Sequence, residues 1–337
     1  MSSLTRRSAL ASAALAVLAG CGGATTGTQP PAGLDPVAKF KLSPLADLVA
    51  AAGLEWLVVL SPKVIVSAPE TAMAVGELIP NDRFEAFATR YGADLRALDE
   101  VVVAGYPDTR LALARGFLDP ARLQAAFAAR SIVDARHLET GGIVRVEGRV
   151  GTTPERLLLL GARAGGIERG KSGPLKAAAL FAAERLKRAR PALAAEPLAS
   201  AARVLGEPWP ARAFFPGPFD EEWTKGGGGL LRTATAAAIG ARAVAGPEPG
   251  GRIELVLIVL GQFEEGEGAK ARLGAALDRL LSSDIGRLLG ADHTSEPLRV
   301  DITEGRDLRA RVVLRALPLF RGLHMATAAS AEEIFKR

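Results

Sequence analysis

Apolar and polar positions alternate with two different periods along this chain, and the switches between them mark out its elements. Trp56 to Leu60 and Val64 to Val66 are short apolar runs of strand character, split by Ser61-Pro62. Asp82 to Tyr91 changes to helical spacing, with Phe84, Phe87 and Ala88 on one face and Gly92 closing it. Val101 to Ala104 and Leu111 to Phe117 then predict two strands about Tyr106-Pro107-Asp108. Asp119-Pro120 opens a helix carrying Leu123, Ala126 and Phe127. Val144, Val146 and Val150 alternate with Arg145, Glu147 and Arg149, the period of a half-buried strand. Leu157 to Leu160 is a fully apolar strand, and Ser172 to Arg188 a helix with Pro174 in its first turn.

A similar succession comes again. Ile239 to Val244 and Ile253 to Leu260 predict strands on either side of a turn, Gly246-Pro247-Glu248-Pro249-Gly250-Gly251. Gly268 to Leu281 is a helix with Leu273, Leu277, Leu280 and Leu281 on one stripe. Leu298, Val300 and Ile302 alternate with Arg299, Asp301 and Thr303, and Val312 and Leu314 form the last strand. Ser330 opens a closing helix, with Glu333 completing a capping box. Both copies read strand, strand, helix, strand, strand, helix. The expected fold class is α+β, two related units of antiparallel sheet with helices on one face. The expected domains are 42–206 and 230–337. Between them, 207–229 reads as a linker with Trp209, four prolines and Gly226 to Gly229.

Residues 1–41 carry none of these patterns. Arg6 and Arg7 precede an apolar, alanine-rich run from Ser8 to Leu18, then small residues. The run is too short for a bilayer core, which needs about 20 apolar residues. Residues 1–20 therefore read as a signal peptide. Residues 21–41, rich in Gly, Thr, Pro and Ala to Pro36, read as a flexible tether. Cys21 is the chain's single cysteine, so no internal disulfide can staple the fold.

Leu18-Ala19-Gly20-Cys21 resembles the lipobox of bacterial lipoproteins. That resemblance implies cleavage after Gly20 and a diacylglyceryl group on the Cys21 sulfur. Two or more acyl chains make anchoring stable where one would not. Gly22 in place of an aspartate points, by the same resemblance, to an outer membrane facing the periplasm. Thr5-Arg6-Arg7-Ser8-Ala9-Leu10 also resembles a twin-arginine export signal but lacks its usual aromatic, so the export route stays open. The remainder loosely resembles exported proteins of unknown function, which implies no activity.

Charge and chemistry narrow the function by exclusion. The formal charge is +5 and falls to +3 once Arg6 and Arg7 leave with the signal. The remaining arginines are interspersed with Asp and Glu, which argues against nucleic acid as a partner. Gly165-Gly166-Ile167-Glu168-Arg169-Gly170-Lys171-Ser172 matches the P-loop pattern. Against nucleotide binding stand the exported compartment, Pro174 just inside the following helix, and the lack of a later strand ending in a magnesium-binding Asp. His137, His293 and His324 have no metal-ligand spacing, although Asp292-His293 could form part of an acid–base pair. Asp220-Glu221-Glu222 lacks the ordered spacing of a calcium loop, and Glu264, Glu265 and Glu267 sit just before the Gly268 to Leu281 helix, where negative charge suits the helix dipole. Phe214-Phe215-Pro216-Gly217-Pro218-Phe219 with Trp223 reads as rings packed between the units, or else as an exposed aromatic loop. No catalytic, metal or cofactor residues are assigned. The expectation is a cell-envelope lipoprotein with a non-catalytic binding or scaffolding role, held to the membrane by its lipid, with an envelope protein as partner. The alternatives are a carrier of an apolar ligand and an unrecognised periplasmic enzyme.

Overall fold

The computed structural model describes residues 44–67, 81–139, 143–161, 163–170, 190–206, 209–221, 231–244, 252–263, 267–282, 299–303 and 307–315. They are mostly antiparallel sheet with a few helices, an α+β chain. They divide into two compact units. One uses residues up to Lys63 and Asn81–Ala195, the other Glu196 onward with the short stretch after Lys63.

In the N-terminal unit the strands are β1 (Trp56–Leu60), β2 (Leu98–Gly105), β3 (Thr109–Gly116), β4 (Ile132–Glu139), β5 (Ile143–Val150), β6 (Thr153–Leu160) and β7 (Ala164–Gly170). They lie in the order β1-β2-β3-β7-β6-β5-β4, each antiparallel to its neighbours. Helix α1 (Pro62–Val66) follows β1, α2 (Asn81–Tyr91) precedes β2, and α3 (Pro120–Arg130) joins β3 to β4. Asp119 caps α3 by accepting from the Ala121 amide, and Pro120 supplies a first-turn residue that needs no N–H partner. α2 ends at Gly92, whose φ of 74° suits glycine. A Cβ there would stand 2.6 Å from the Arg122 carbonyl oxygen, so this glycine lets the two helices touch.

Helices α2 and α3 share one face of this sheet. Phe87, Leu123 and Phe127 meet Leu98, Val101, Val146, Leu157 and Leu159 there. Fully burying a ring such as Phe127 contributes about 2–3 kcal/mol. On the opposite face the short 3-10 turn Leu45–Leu48 lies against β2 and β3, and its Leu45 amide donates to Glu100.

The C-terminal unit contains β8 (Ala211–Pro216), β9 (Ala234–Val244), β10 (Arg252–Gly261), β11 (Arg299–Thr303) and β12 (Asp307–Arg315). Their order is β8-β9-β10-β12-β11, again antiparallel throughout. Helix α4 (Leu198–Leu205) packs on β8, β9 and β10, while α5 (Glu267–Ser282) packs on β11 and β12. Gly240 admits Trp209, whose ring atoms would stand 2.7 Å from a Cβ there.

Several sequence expectations need correction. Val64 to Val66 is the end of helix α1 and not a strand, because Pro62 fits a first helical turn. Phe117 lies beyond β3 and is 86% exposed. β4 and β7 were not anticipated. The stretch read as a linker contains β8, paired with β9 from Ala211↔Ala241 to Pro216↔Ala236. The predicted helices at Ser172 to Arg188 and from Ser330 lie outside the described residues.

Candidate functional site

The densest chemistry among the described residues is a set of buried charges on β5, β6 and β7. It follows from pairing register. Glu155 stands opposite Arg169, Arg156 opposite Glu168, and Glu147 opposite Arg156. Because neighbours along a strand point to opposite faces, the set separates into two clusters.

On the helix-covered face, the fully buried Glu155 accepts from Arg130 at the end of α3 and from Arg169 at 3.0 Å. Arg130 also lies over the Phe127 ring, 5.1 Å from its centroid, and over Tyr91 at 5.2 Å. Arg169 stands directly opposite Arg110, whose pKa is lowered by burial and by that like charge. Glu155 therefore neutralises a place where the sheet crowds cations.

On the other face, Glu168 accepts from Arg156 at 3.0 Å and from the Thr109 hydroxyl at 3.3 Å. Arg156 also donates to Glu147 at 2.9 Å. Burial pushes the Glu168 carboxyl up to about 7, against the pull of Arg156 and Thr109. The Arg156 Nε is buried with no hydrogen-bond partner among the described residues.

The C-terminal unit repeats the motif with different elements. Glu254 on β10 accepts from Arg242 at 2.6 Å and from Arg311, and Arg242 stacks 4.6 Å over Trp209. Burial alone would raise the Glu254 pKa, but the hydrogen bonds from the two arginines reverse that and leave it below the usual carboxylate range.

No family model, curated protein or solved structure matches this chain. Its site must be judged on geometry. A general base needs an accepting oxygen open to substrate. Both oxygens of Glu155, Glu168 and Glu254 already accept, and all three residues are buried. The arrangement suits internal charge compensation better than proton transfer.

The structure places the sequence candidates unevenly. Gly165 to Gly170 lies within β7 and not in a loop, with ladder partners on β3 and β6. Its backbone groups are committed to two neighbours and cannot cradle phosphates. Gly166 is there for packing, since a Cβ would meet the Ala112 carbonyl oxygen at 2.6 Å. Lys171 and Ser172 lie outside the described residues. Phe214 and Phe215 are buried core residues of β8, not an exposed loop, and Phe219 is half-buried. Asp220 and Glu221 are exposed, while Glu222 and Trp223 lie outside the described residues, as do Glu264 and Glu265. Glu267 begins α5 and His137 lies on β4. His293, His324, Gly20 and Cys21 lie outside the described residues. Among the described residues no group of three or more His, Cys, Asp or Glu could hold a metal. No described helix is long and apolar enough to cross a membrane.

The buried pairs are where sequence reasoning fell short. Its one available signal was Glu147 between Arg145 and Arg149 on an alternating strand. The Arg156 and Glu168 partnership appears only once β6 and β7 are in register.

Proposed function

We propose that this chain is a lipid-anchored bacterial envelope protein whose folded part performs binding or scaffolding without catalysis. The observation that carries the proposal is Leu18-Ala19-Gly20-Cys21, placed directly after a short apolar run with a basic start. Two structural features support the non-catalytic half. The buried carboxylates have their oxygens occupied by arginine and threonine donors, and the one nucleotide-like motif is partly built into a strand.

The folded part is further proposed to have arisen from two copies of one design. In strand order along the chain, β2, β3, β6 and β7 form 1-2-4-3 about helix α3, and β9, β10, β11 and β12 form 1-2-4-3 about helix α5. An antiparallel strand precedes each set, β1 and β8. The β4–β5 hairpin is then an insertion in the first copy. This changes the correspondence expected from the sequence pattern. The strand with Val300 matches the strand with Leu157, not the one with Val146, while α3 with Phe127 still matches α5 with Leu277.

Detergent phase partition of cell extracts tests the anchor. The native chain should enter the detergent phase, and the Cys21→Ala variant should remain in the aqueous phase. A variant that still follows the detergent overturns the proposal.

A further inference from the structure

The described chain joins the N-terminal unit at one end of its sheet. Leu45, directly after Pro44, donates its amide to Glu100 at 3.2 Å, and Glu100 pairs with Arg115 at 2.9 Å. Arg115 stands opposite Glu100 near the end of β3, and Phe117 follows two residues later. Two residues of extended backbone span about 7 Å. The segment that leads from Cys21 therefore meets the fold beside Phe117. This ring is 86% exposed, more than any other large apolar side chain among the described residues. Backbone bonds fix its surroundings. The Phe117 amide donates to the Ala97 carbonyl at 3.4 Å, and the Gly116 amide to the Arg163 carbonyl at 3.0 Å. Arg96 precedes Ala97, and Arg122 lies in the first turn of α3; both are exposed, as is Arg163. Asp94 is held by Arg96 at 2.9 Å, Asp99 by Lys63 at 3.5 Å and Glu100 by Arg115, while Asp119 caps α3. Arg122 and Arg163 have no salt-bridge partner among the described residues, so this end carries cations in excess.

We propose that this end of the sheet docks on an anionic phospholipid bilayer, with Phe117 entering the boundary between headgroups and acyl chains and Arg122 and Arg163 against the lipid phosphates. An aromatic ring is well placed at that boundary, and arginine pairs with phosphate through two parallel hydrogen bonds. The proposal rests on the lipid anchor at Cys21 proposed above, because the chain from that anchor enters the fold at this end. One ring and two cations bind weakly alone. Tethering supplies a high local concentration of bilayer, so that weak contacts suffice to orient the folded part. Ile132 shows the contrast. It is 59% exposed, but it begins β4 at the opposite end of the sheet, away from the point where the chain enters.

Cosedimentation with vesicles tests the docking with no acyl chain on the protein. The chain from residue 21 onward is used, carrying Cys21→Ala, so that the apolar run Ser8 to Leu18 cannot bind the vesicles itself. It should partition onto vesicles of equal parts phosphatidylglycerol and phosphatidylcholine. Phe117→Ala should lower the partition coefficient about tenfold, and Phe117→Trp should retain it, which separates lost docking from lost folding. Arg122→Gln with Arg163→Gln should lower it about tenfold on these vesicles and leave it unchanged on phosphatidylcholine alone. Ile132→Ala should change nothing. Failure of the parent chain to partition overturns the proposal. So does an equal loss from Phe117→Ala and Ile132→Ala, or an arginine effect that is the same on both kinds of vesicle. Failure of the anchor is read separately, from detergent partition of the native chain and its Cys21→Ala variant.

Discussion

Glu168 makes the folding stability of the N-terminal unit depend on pH in a predictable direction. Its carboxyl is fully buried, and burial raises its pKa from 4.5 to about 7 in the folded chain. The folded state therefore holds this proton more tightly than the unfolded state. Its contribution is fully present below pH 4.5 and is lost as pH rises through about 7. At about 1.4 kcal/mol per pKa unit, the window is worth about 3 kcal/mol. Replacing Glu168 with Gln removes the titration while keeping a side chain of the same shape, and Arg156 keeps its bond to Glu147 at 2.9 Å. The offset between variant and native chain at one pH mixes several effects, but its change with pH isolates Glu168. Urea denaturation followed by circular dichroism from pH 4 to 8 should show the variant gaining about 3 kcal/mol relative to the native chain as pH rises. A difference that stays flat, or moves in the opposite direction, would refute the claim that burial outweighs the Arg156 pair.

Glu155 and Glu254 should not be equally costly to remove. Glu155→Ala strands Arg130 and Arg169 in the interior, with side-chain exposures of 13% and 28%, and should destabilise by about 3 kcal/mol in the same urea assay. Glu254→Ala leaves Arg242 and Arg311 at 46% and 39% exposure, where water can solvate them, and should cost about half as much. Equal losses would contradict the role given to burial. Thermal denaturation with and without Mg-ATP should show no shift, because Gly165 to Gly170 is spent on two strand ladders. A stabilisation abolished by Lys171→Ala would reverse that conclusion.

Elements with an unbroken pattern were legible from the residues alone. α3 announced itself by Asp119-Pro120, and β5 and β10 by regular alternation and a continuous apolar run. Strands that broke the pattern were not legible, each for a physical reason. β7 reads Ala-Gly-Gly-Ile-Glu-Arg-Gly, and its glycines and charges resemble a loop until neighbouring strands supply the packing and ion pairs that justify them. β4 loses its alternation at the Asp134 bulge. β8 hid among prolines, although Phe214 and Phe215 inside it are core residues. The ion-paired clusters were illegible for a related reason. A buried charge is tolerated only beside its partner. Arg156 and Glu168 are separated along the chain and become neighbours only through the β6–β7 register. The proposed lipid anchor is the opposite case, resting on a short contiguous motif, Leu18-Ala19-Gly20-Cys21, that needs no fold to be read.

The proposed membrane anchoring through Cys21 can be tested on a single peptide. Trypsin digestion of the native protein, recovered from the membranes of its host, should release Cys21 to Lys39 as the N-terminal peptide. Mass spectrometry should find that peptide carrying a diacylglyceryl group on the Cys21 sulfur, with no peptide upstream of it. An unmodified Cys21, or an N-terminus that retains Met1 to Gly20, would contradict the anchor on which the functional proposal rests.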